Sequence, residues 1–318
     1  TAFAGWLSQF LKSETVGDIY ANLDDNQKVQ TIFAQAGGYA HAVYNADTLI
    51  DGMRMIKDEL EIGLIQRAVA VSVQAFTQGI QAVAPSRYEY EVESIFDLIL
   101  RMNGCPRTAF ETIVASGPNI TTIHYTANDR QMRVGDLVMI DFGAEYGYYA
   151  ADLTRTVPVS GTYTPEQGTI YDLVYSSLDA VIAAARPGVT FGYLSGMNID
   201  ILIDGLLKNG VISGTKSAII ASGQYRLYIP ASLGHSIGLD VHDPWPSDAN
   251  KERVLRENMV LAIEPHIYLS ATDQTVAAAY RGVCARIEDD IRITSTGCEV
   301  LSASLPGTRA GIEAMMKK

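Results

Sequence analysis

The sequence predicts an α+β fold, a mostly antiparallel sheet with helices grouped apart from it and packed on one side. Two observations carry this. Helix-periodic stretches closed by Pro and Gly are followed by strand-like runs, and the same outline then returns further along the chain. Acidic residues also stand in or beside those strand runs, where a β scaffold holds functional groups rigidly.

Residues 1–56 are a different kind of sequence, polar and Gly-spotted at Gly37-Gly38 and Asp51-Gly52, with no chemical motif. From Lys57 the pattern turns regular. The stretch 58–84 carries Leu60, Leu64, Ala68, Val71 and Ala75 at helical spacing and stops at Pro85. A second helix is expected over 89–102, ending at Asn103-Gly104. The outline recurs as helices at about 167–185, stopped by Pro187-Gly188, and about 192–207, stopped by Asn209-Gly210. The two Pro-to-Gly intervals, 19 and 23 residues, make this an approximate internal duplication. Strands are expected at 112–115, 137–142 and 148–159 after the first helical pair, and at 259–263, 266–269 and 285–293 after the second.

A chain of 318 residues can bury a substantial core, as one large domain or two smaller ones. The formal charge of −12 argues against nucleic acid or an anionic membrane as partner. No apolar run approaches a membrane span, and TAFAGWLSQFLKSE lacks the basic start and cleavage site of a secretory signal. It also lacks an initiator Met, so the chain is expected to be processed or cut from something longer. Cys105, Cys284 and Cys298 are odd in number and show no CxxC spacing. They read as packing residues in a reducing compartment, with a cytoplasmic location expected.

Five potential metal ligands stand in the order Asp141, Asp152, His235, Glu264 and Glu288. Four carboxylates and one imidazole suit a pair of hard divalent cations, of the manganese or magnesium kind, better than thiolate-seeking metals. Two such ions would bring the formal charge from −12 to −8. Asp141 ends the apolar run LVMIDFG, where an unpaired buried carboxylate would cost several kcal/mol. Asp152 follows eleven residues later, and Gly147 between them can reverse the chain and bring the two acids together. The adjoining Leu-Thr-Arg-Thr offers a hydroxyl and a guanidinium to anchor the carboxylates. His235 lies in LGHSIGLDVHD, where Gly234 and Gly238 permit close backbone approach and His242 follows. Glu264 ends MVLAIE before Pro265, placed as Asp141 is. In ARIEDDIRI, alternation puts Arg286, Glu288 and Asp290 on one face and Asp289 on the other. Carboxylates bridging two ions, with a hydroxide between them, imply metal-assisted amide hydrolysis.

In order along the chain, GPNITTIHY, the two spaced Asp residues with DLTRT, HSIGLDVHD, EPHIY and RIEDD resemble the pita-bread metallopeptidases. That superfamily includes methionine aminopeptidase, aminopeptidase P and prolidase, and the resemblance covers roughly 60–304. GLDVHD and RGVCARIEDDI look most like aminopeptidase P and prolidase. The resemblance implies a pseudo-two-fold pita-bread domain at 57–318, after a remnant or reduced N-terminal domain at 1–56. It implies two divalent ions, Mn2+ first with Co2+ or Zn2+ as alternatives, on Asp141, Asp152, His235, Glu264 and Glu288. Glu264 would also accept the proton of the attacking hydroxide. His124 and His242 would contact the substrate and stabilise the tetrahedral intermediate or the leaving prolyl nitrogen. Arg286 would order that shell, and Tyr268, which matches a tyrosine near the site, would contact the substrate. The implied substrate is a peptide with proline at its second position, and a homodimer is expected.

Three departures stand out: Ala231 replaces a usual His; EPG reads EPH with His266, and Asn258 replaces the Gly before Met259; and the N-terminal region is short. Aminopeptidase P activity is the main expectation, with prolidase as the alternative. A catalytically weak relative acting as a binding module, motivated by Ala231, is a second class. A hydrolase of non-peptide amides, as in creatinase, is a third.

Overall fold

The computed structural model describes residues 2–11, 18–21, 27–36, 43–245 and 252–317; Gly37-Gly38 lies outside them. The chain divides into two units, Thr1–Met55 with Pro244–Pro246, and Ile56–Asp243 with Ser247–Lys318. In the first unit α1 (Ala2–Leu11), β1 (Ile19–Ala21), α2 (Gln27–Ala36), β2 (Val43–Asn45) and α3 (Asp47–Met55) follow in order, and β1 pairs parallel with β2. Asp51-Gly52, one of the Gly-containing pairs noted above, lies inside α3. Asp47 in the first turn and Arg54 in the last complement the helix dipole. That support offsets the glycine, which costs only about 1 kcal/mol.

In the second unit α4 (Glu59–Ala82) begins at a capping box. Asp58 accepts the amides of Leu60 and Glu61, and the Glu61 carboxylate accepts the Asp58 N–H at 2.7 Å. The helix ends at Ala82, three residues short of Pro85. Its partner α5 (Glu89–Met102) is closed by Asn103 and by Gly104 at φ 80°. After β3 (Arg107–Thr108), a three-stranded antiparallel sheet forms from β4 (Ile113–Ser116), β5 (Leu137–Phe142) and β8 (Leu153–Pro158), with β5 central. Between β5 and β8 the chain makes the hairpin β6 (Ala144–Tyr146) and β7 (Tyr149–Ala150). Gly147 and Tyr148 both have positive φ, 56° and 72°, the signature of a two-residue primed turn.

The plan then repeats. Helix α6 (Pro165–Ala184) starts two residues before the expected Gln167, because Thr164 caps it and Pro165 suits its first position. Helix α7 (Phe191–Lys208) is capped by Thr190 and closed by Asn209 and Gly210. A short α8 (Lys216–Ala221) intervenes before β9 (Gly234–Ser236), β10 (Val260–Ile263), β11 (His266–Tyr268), β12 (Cys284–Arg286), β13 (Asp289–Ile293) and β14 (Cys298–Val300). β10 pairs antiparallel with β9 on one side and β13 on the other, as β5 does with β4 and β8. The helix pairs and three-stranded cores thus match, which is the pseudo-two-fold plan. Helix α9 (Arg309–Met316), which the pattern did not indicate, follows.

The two longest expected strands are each broken. The run 148–159 parts at Ala151-Asp152, and the run 285–293 parts at Ile287. In the second case the chain leaves its pairing with β11 to pair with β10 and β14, and Glu288 bridges to Thr154 at the crossing. Behind the first sheet Phe76, Phe96 and Phe142 are fully buried, with ring centroids 5.1 and 4.8 Å apart along the chain of contacts. At ~1.5–3 kcal/mol for each side chain, this cluster fixes α4 and α5 against β5. Among the described residues no helix is long and apolar enough to cross a membrane.

Candidate metal centre

The strand breaks and strand ends converge. Asp141 is the fifth residue of β5, Asp152 precedes β8, His235 is the middle residue of β9, Glu264 follows β10, and Glu288 precedes β13. Pseudo-symmetry makes Asp141 and Glu264 counterparts, and likewise Asp152 and Glu288. All five line one cavity of about 320 Å³, together with His124, His242 and Arg286. Sequence reasoning missed the wall formed by Phe110, Thr126 and Val241.

Ligand atoms of Asp152, His235 and Glu288 all lie within 4.8 Å of one another. His235 Nε2 is 3.4 Å from Asp152 Oδ2 and 3.9 Å from Glu264 Oε1. The His235 Nδ1–H donates to the Ser236 carbonyl at 3.1 Å, which leaves Nε2 as a lone-pair donor facing the acids. Gly234 allows this placement, since a Cβ there would stand 2.0 Å from the Ala262 carbonyl oxygen of β10.

The acids are almost wholly buried, with Asp152 6% and Glu288 2% exposed. Burial first, then the charge of Glu288 and its neighbours, pushes the Asp152 carboxyl well above the usual range. Burial, then Glu264 and Asp141, does the same to Glu288. Burial raises Glu264 to about 7, against the lowering effect of Arg286. Burial, with His242 alongside, lowers His235 to about 4, so its imidazole is neutral at physiological pH. Asp141 Oδ1 and Asp152 Oδ1 are buried without a hydrogen-bond partner, although Arg286 forms an ion pair with Asp141. Clustered acids with orphaned oxygens around a free imidazole nitrogen are the donor set a divalent cation completes.

A surrounding shell holds these groups. Thr154 Oγ1 donates to Glu288 Oε2 at 2.7 Å and receives Arg286 Nε at 3.1 Å. Asp290 Oδ2 accepts the Asp152 N–H at 3.0 Å. Arg155 is fully buried; it pairs with Asp289 at 2.8 Å and donates to the carbonyls of Thr154, Glu288, Leu305 and Pro306. Replacing Arg155 with Ala would strand these acceptors, and we expect a loss of about 3–5 kcal/mol in chemical denaturation. A loss below ~1 kcal/mol would contradict this.

Tyr268 does not line the cavity; it is buried behind Arg286, whose Nη1 donates to its hydroxyl at 3.3 Å. His242 and His235 pack edge to face at 4.3 Å, and His124 is exposed in a left-handed conformation at φ 57°. The departures at Ala231 and His266 meet each other. The Ala231 N–H donates to His266 Nε2 at 3.2 Å, which fixes the proton on Nδ1, and Nδ1–H donates to the Glu264 carbonyl at 2.9 Å. The buried His266 therefore links the turn after Glu264 to the segment leading into His235.

The sequence profile of metallopeptidase family M24 matches residues 63–295. The chain belongs to metallopeptidase family M24. It is 39% identical over 268 residues to the Xaa-Pro aminopeptidase of Escherichia coli K12, covering 84% of this chain and 60% of that protein. To the Xaa-Pro aminopeptidase of Haemophilus influenzae it is 38% identical over 270 residues, covering 84% and 62%. A substituted E. coli aminopeptidase P, solved in complex with substrate, superposes at TM-score 0.90 with 34% identity, covering 98% of this M24 chain and 73% of that one. The α+β fold is thus the pita-bread fold. The M24 chain spans about three-fifths of the length of these curated relatives. Family membership and the Asp152, His235 and Glu288 cluster together make this a divalent-metal site.

Proposed function

We propose that this chain carries the catalytic domain of an Xaa-Pro aminopeptidase holding two divalent ions, Mn2+ first among the candidates. The observation that carries the reading is the convergence of Asp152, His235 and Glu288 within 4.8 Å, in one cavity with Asp141, Glu264 and two further histidines. Asp141, Asp152, His235, Glu264 and Glu288 would hold the ions. When bound, these polarise the scissile carbonyl and acidify the attacking water.

The protein's own groups do the rest. Glu264, at the end of β10 on the cavity wall, would take a proton from the attacking water and pass it to the departing prolyl nitrogen. His242 and His124 stand on the cavity wall to contact the carbonyl and the prolyl residue. Arg286, backed by Tyr268, balances Asp141 and keeps that carboxylate oriented. Phe110, Ile113 and Val241 give the cavity an apolar wall against which a pyrrolidine ring can lie. Residues 57–318 form the catalytic domain in this proposal and 1–56 belong to an N-terminal domain. A homodimer, which the resemblance implies, and a cytoplasmic location, which the cysteine pattern suggests, belong to the same proposal.

The experiment is hydrolysis of an Xaa-Pro dipeptide and an Xaa-Pro-Xaa tripeptide by Mn2+-loaded protein, with a chelated control. Metal-dependent cleavage of the tripeptide is the expected result. Cleavage of the dipeptide alone would make the chain a dipeptidase, and cleavage of neither would leave it a binding module.

A further inference from the structure

Glu89, the first residue of α5, is fully buried and lies outside the metal centre. It is not needed to start its helix, because the Glu91 carboxylate already accepts the Tyr88 N–H at 2.7 Å. Nor does any Lys or Arg pair with it among the described residues. Its carboxylate is instead satisfied by four donors from one segment, 116–130. Oε1 accepts the Ser116 N–H at 2.7 Å and Asn119 Nδ2 at 3.3 Å. Oε2 accepts the Tyr125 hydroxyl at 2.8 Å and the Arg130 N–H at 2.9 Å. The Glu89 N–H in turn donates to the Arg130 carbonyl at 3.0 Å.

The segment's two ends and its middle are therefore gathered on one buried anion. Charge-assisted hydrogen bonds of this kind are the stronger ones, and a buried carboxylate requires them. Beside the middle contact, one residue before Tyr125, stands His124, exposed on the cavity wall. Its backbone is held at φ 57°, a conformation that costs a non-glycine residue energy and persists only where the surroundings enforce it. We propose that Glu89 is a positioning residue for His124: by gathering the ends and middle of the 116–130 segment, it sets where the imidazole stands in the cavity. This inference rests on the role given to His124 under the proposed function.

The chemistry of the clasp makes Glu89→Gln a sharp probe. Ser116 N–H, Asn119 Nδ2 and Arg130 N–H can only donate, so a Gln amide nitrogen, whichever way it turns, faces at least one donor it cannot accept from. The test is a double-mutant cycle with His124→Ala in the metal-loaded full chain, using an Xaa-Pro-Xaa tripeptide. We expect E89Q to lower kcat by roughly 10- to 100-fold with metal content unchanged. Once His124 is Ala, E89Q should cost less than about twofold. An equal loss in both backgrounds, or no loss from E89Q alone, overturns the proposal. If E89Q does not fold, Tyr125→Phe, which removes the Glu89 contact beside His124 together with the Tyr125–Asp129 hydrogen bond, goes through the same cycle under the same criteria. Should the wild-type chain cleave no Xaa-Pro peptide, the proposed activity fails on its own. Amide exchange then decides: lost protection at Ser116 and Arg130 in E89Q retains the clasp, and unchanged protection overturns it.

Discussion

Replacing Asp152 with Asn lowers kcat/KM by on the order of 10³-fold or more, because losing a metal ligand removes several kcal/mol of transition-state stabilisation at about 1.4 kcal/mol per tenfold. The same substitution leaves the metal-free protein at least as stable as wild type. Asp152 is buried beside Glu288, Asp141, Asp290 and Glu264, and every one of those charges raises its carboxyl further. An Asn of the same shape removes that conflict and still donates its backbone N–H to Asp290. Opposite signs in activity and in metal-free stability mark a group kept for chemistry. A variant that turns over at the wild-type rate would sink the ligand assignment. One that unfolds in the metal-free state would show Asp152 to be structural.

The second large effect is a stabilisation by metal that grows as pH rises. Burial raises Glu264 from 4.5 to about 7 in the metal-free fold, and burial likewise raises Asp152, Glu288 and Asp290. Between those values the native state holds protons that the unfolded chain has released. The contribution of the Glu264 carboxyl is thus complete below 4.5 and is lost as pH rises through about 7. Glu264 alone accounts for about 3 kcal/mol over that window, roughly 5–10 °C in Tm for a chain of this size. Bound divalent ions act in the other sense, since they hold the carboxylates ionised and displace their protons. Thermal unfolding should show the Tm difference between loaded and chelated protein widening from pH 4.5 to about 7. His235 and His266, which burial lowers to about 4, act in the opposite sense to the carboxyls but stay neutral with or without metal, so they drop out of that difference. Metal added at neutral pH should release protons into weak buffer. Parallel curves with and without metal would contradict the account.

The four candidate carboxylates were legible because each stands in or beside a strand run where a core would not otherwise admit a charge, and His235 from the glycines around it and the histidine that follows. The repeat was legible from its punctuation, Asn103-Gly104 and Asn209-Gly210, which closes the second helix of each half. What the sequence hid is long-range. The breaks at Asp152 and Glu288 arise where the chain exchanges pairing partners, and no local residue announces that. The contact between His266 and Ala231 spans 35 positions, so two apparent departures read as unrelated. Glu89 reads as one more acid in a first helical turn, where a favourable dipole is the ordinary explanation. Only the folded 116–130 segment shows that it is buried. Tyr268 illustrates the converse, a residue four positions after Glu264 that lies behind Arg286 instead of on the cavity wall.

The central claim is that these five side chains form one dinuclear centre. Its most direct test is the number of divalent ions bound per chain, counted after dialysis of Mn2+-loaded wild-type protein. Two ions per chain is the predicted result. Fewer than one would contradict it.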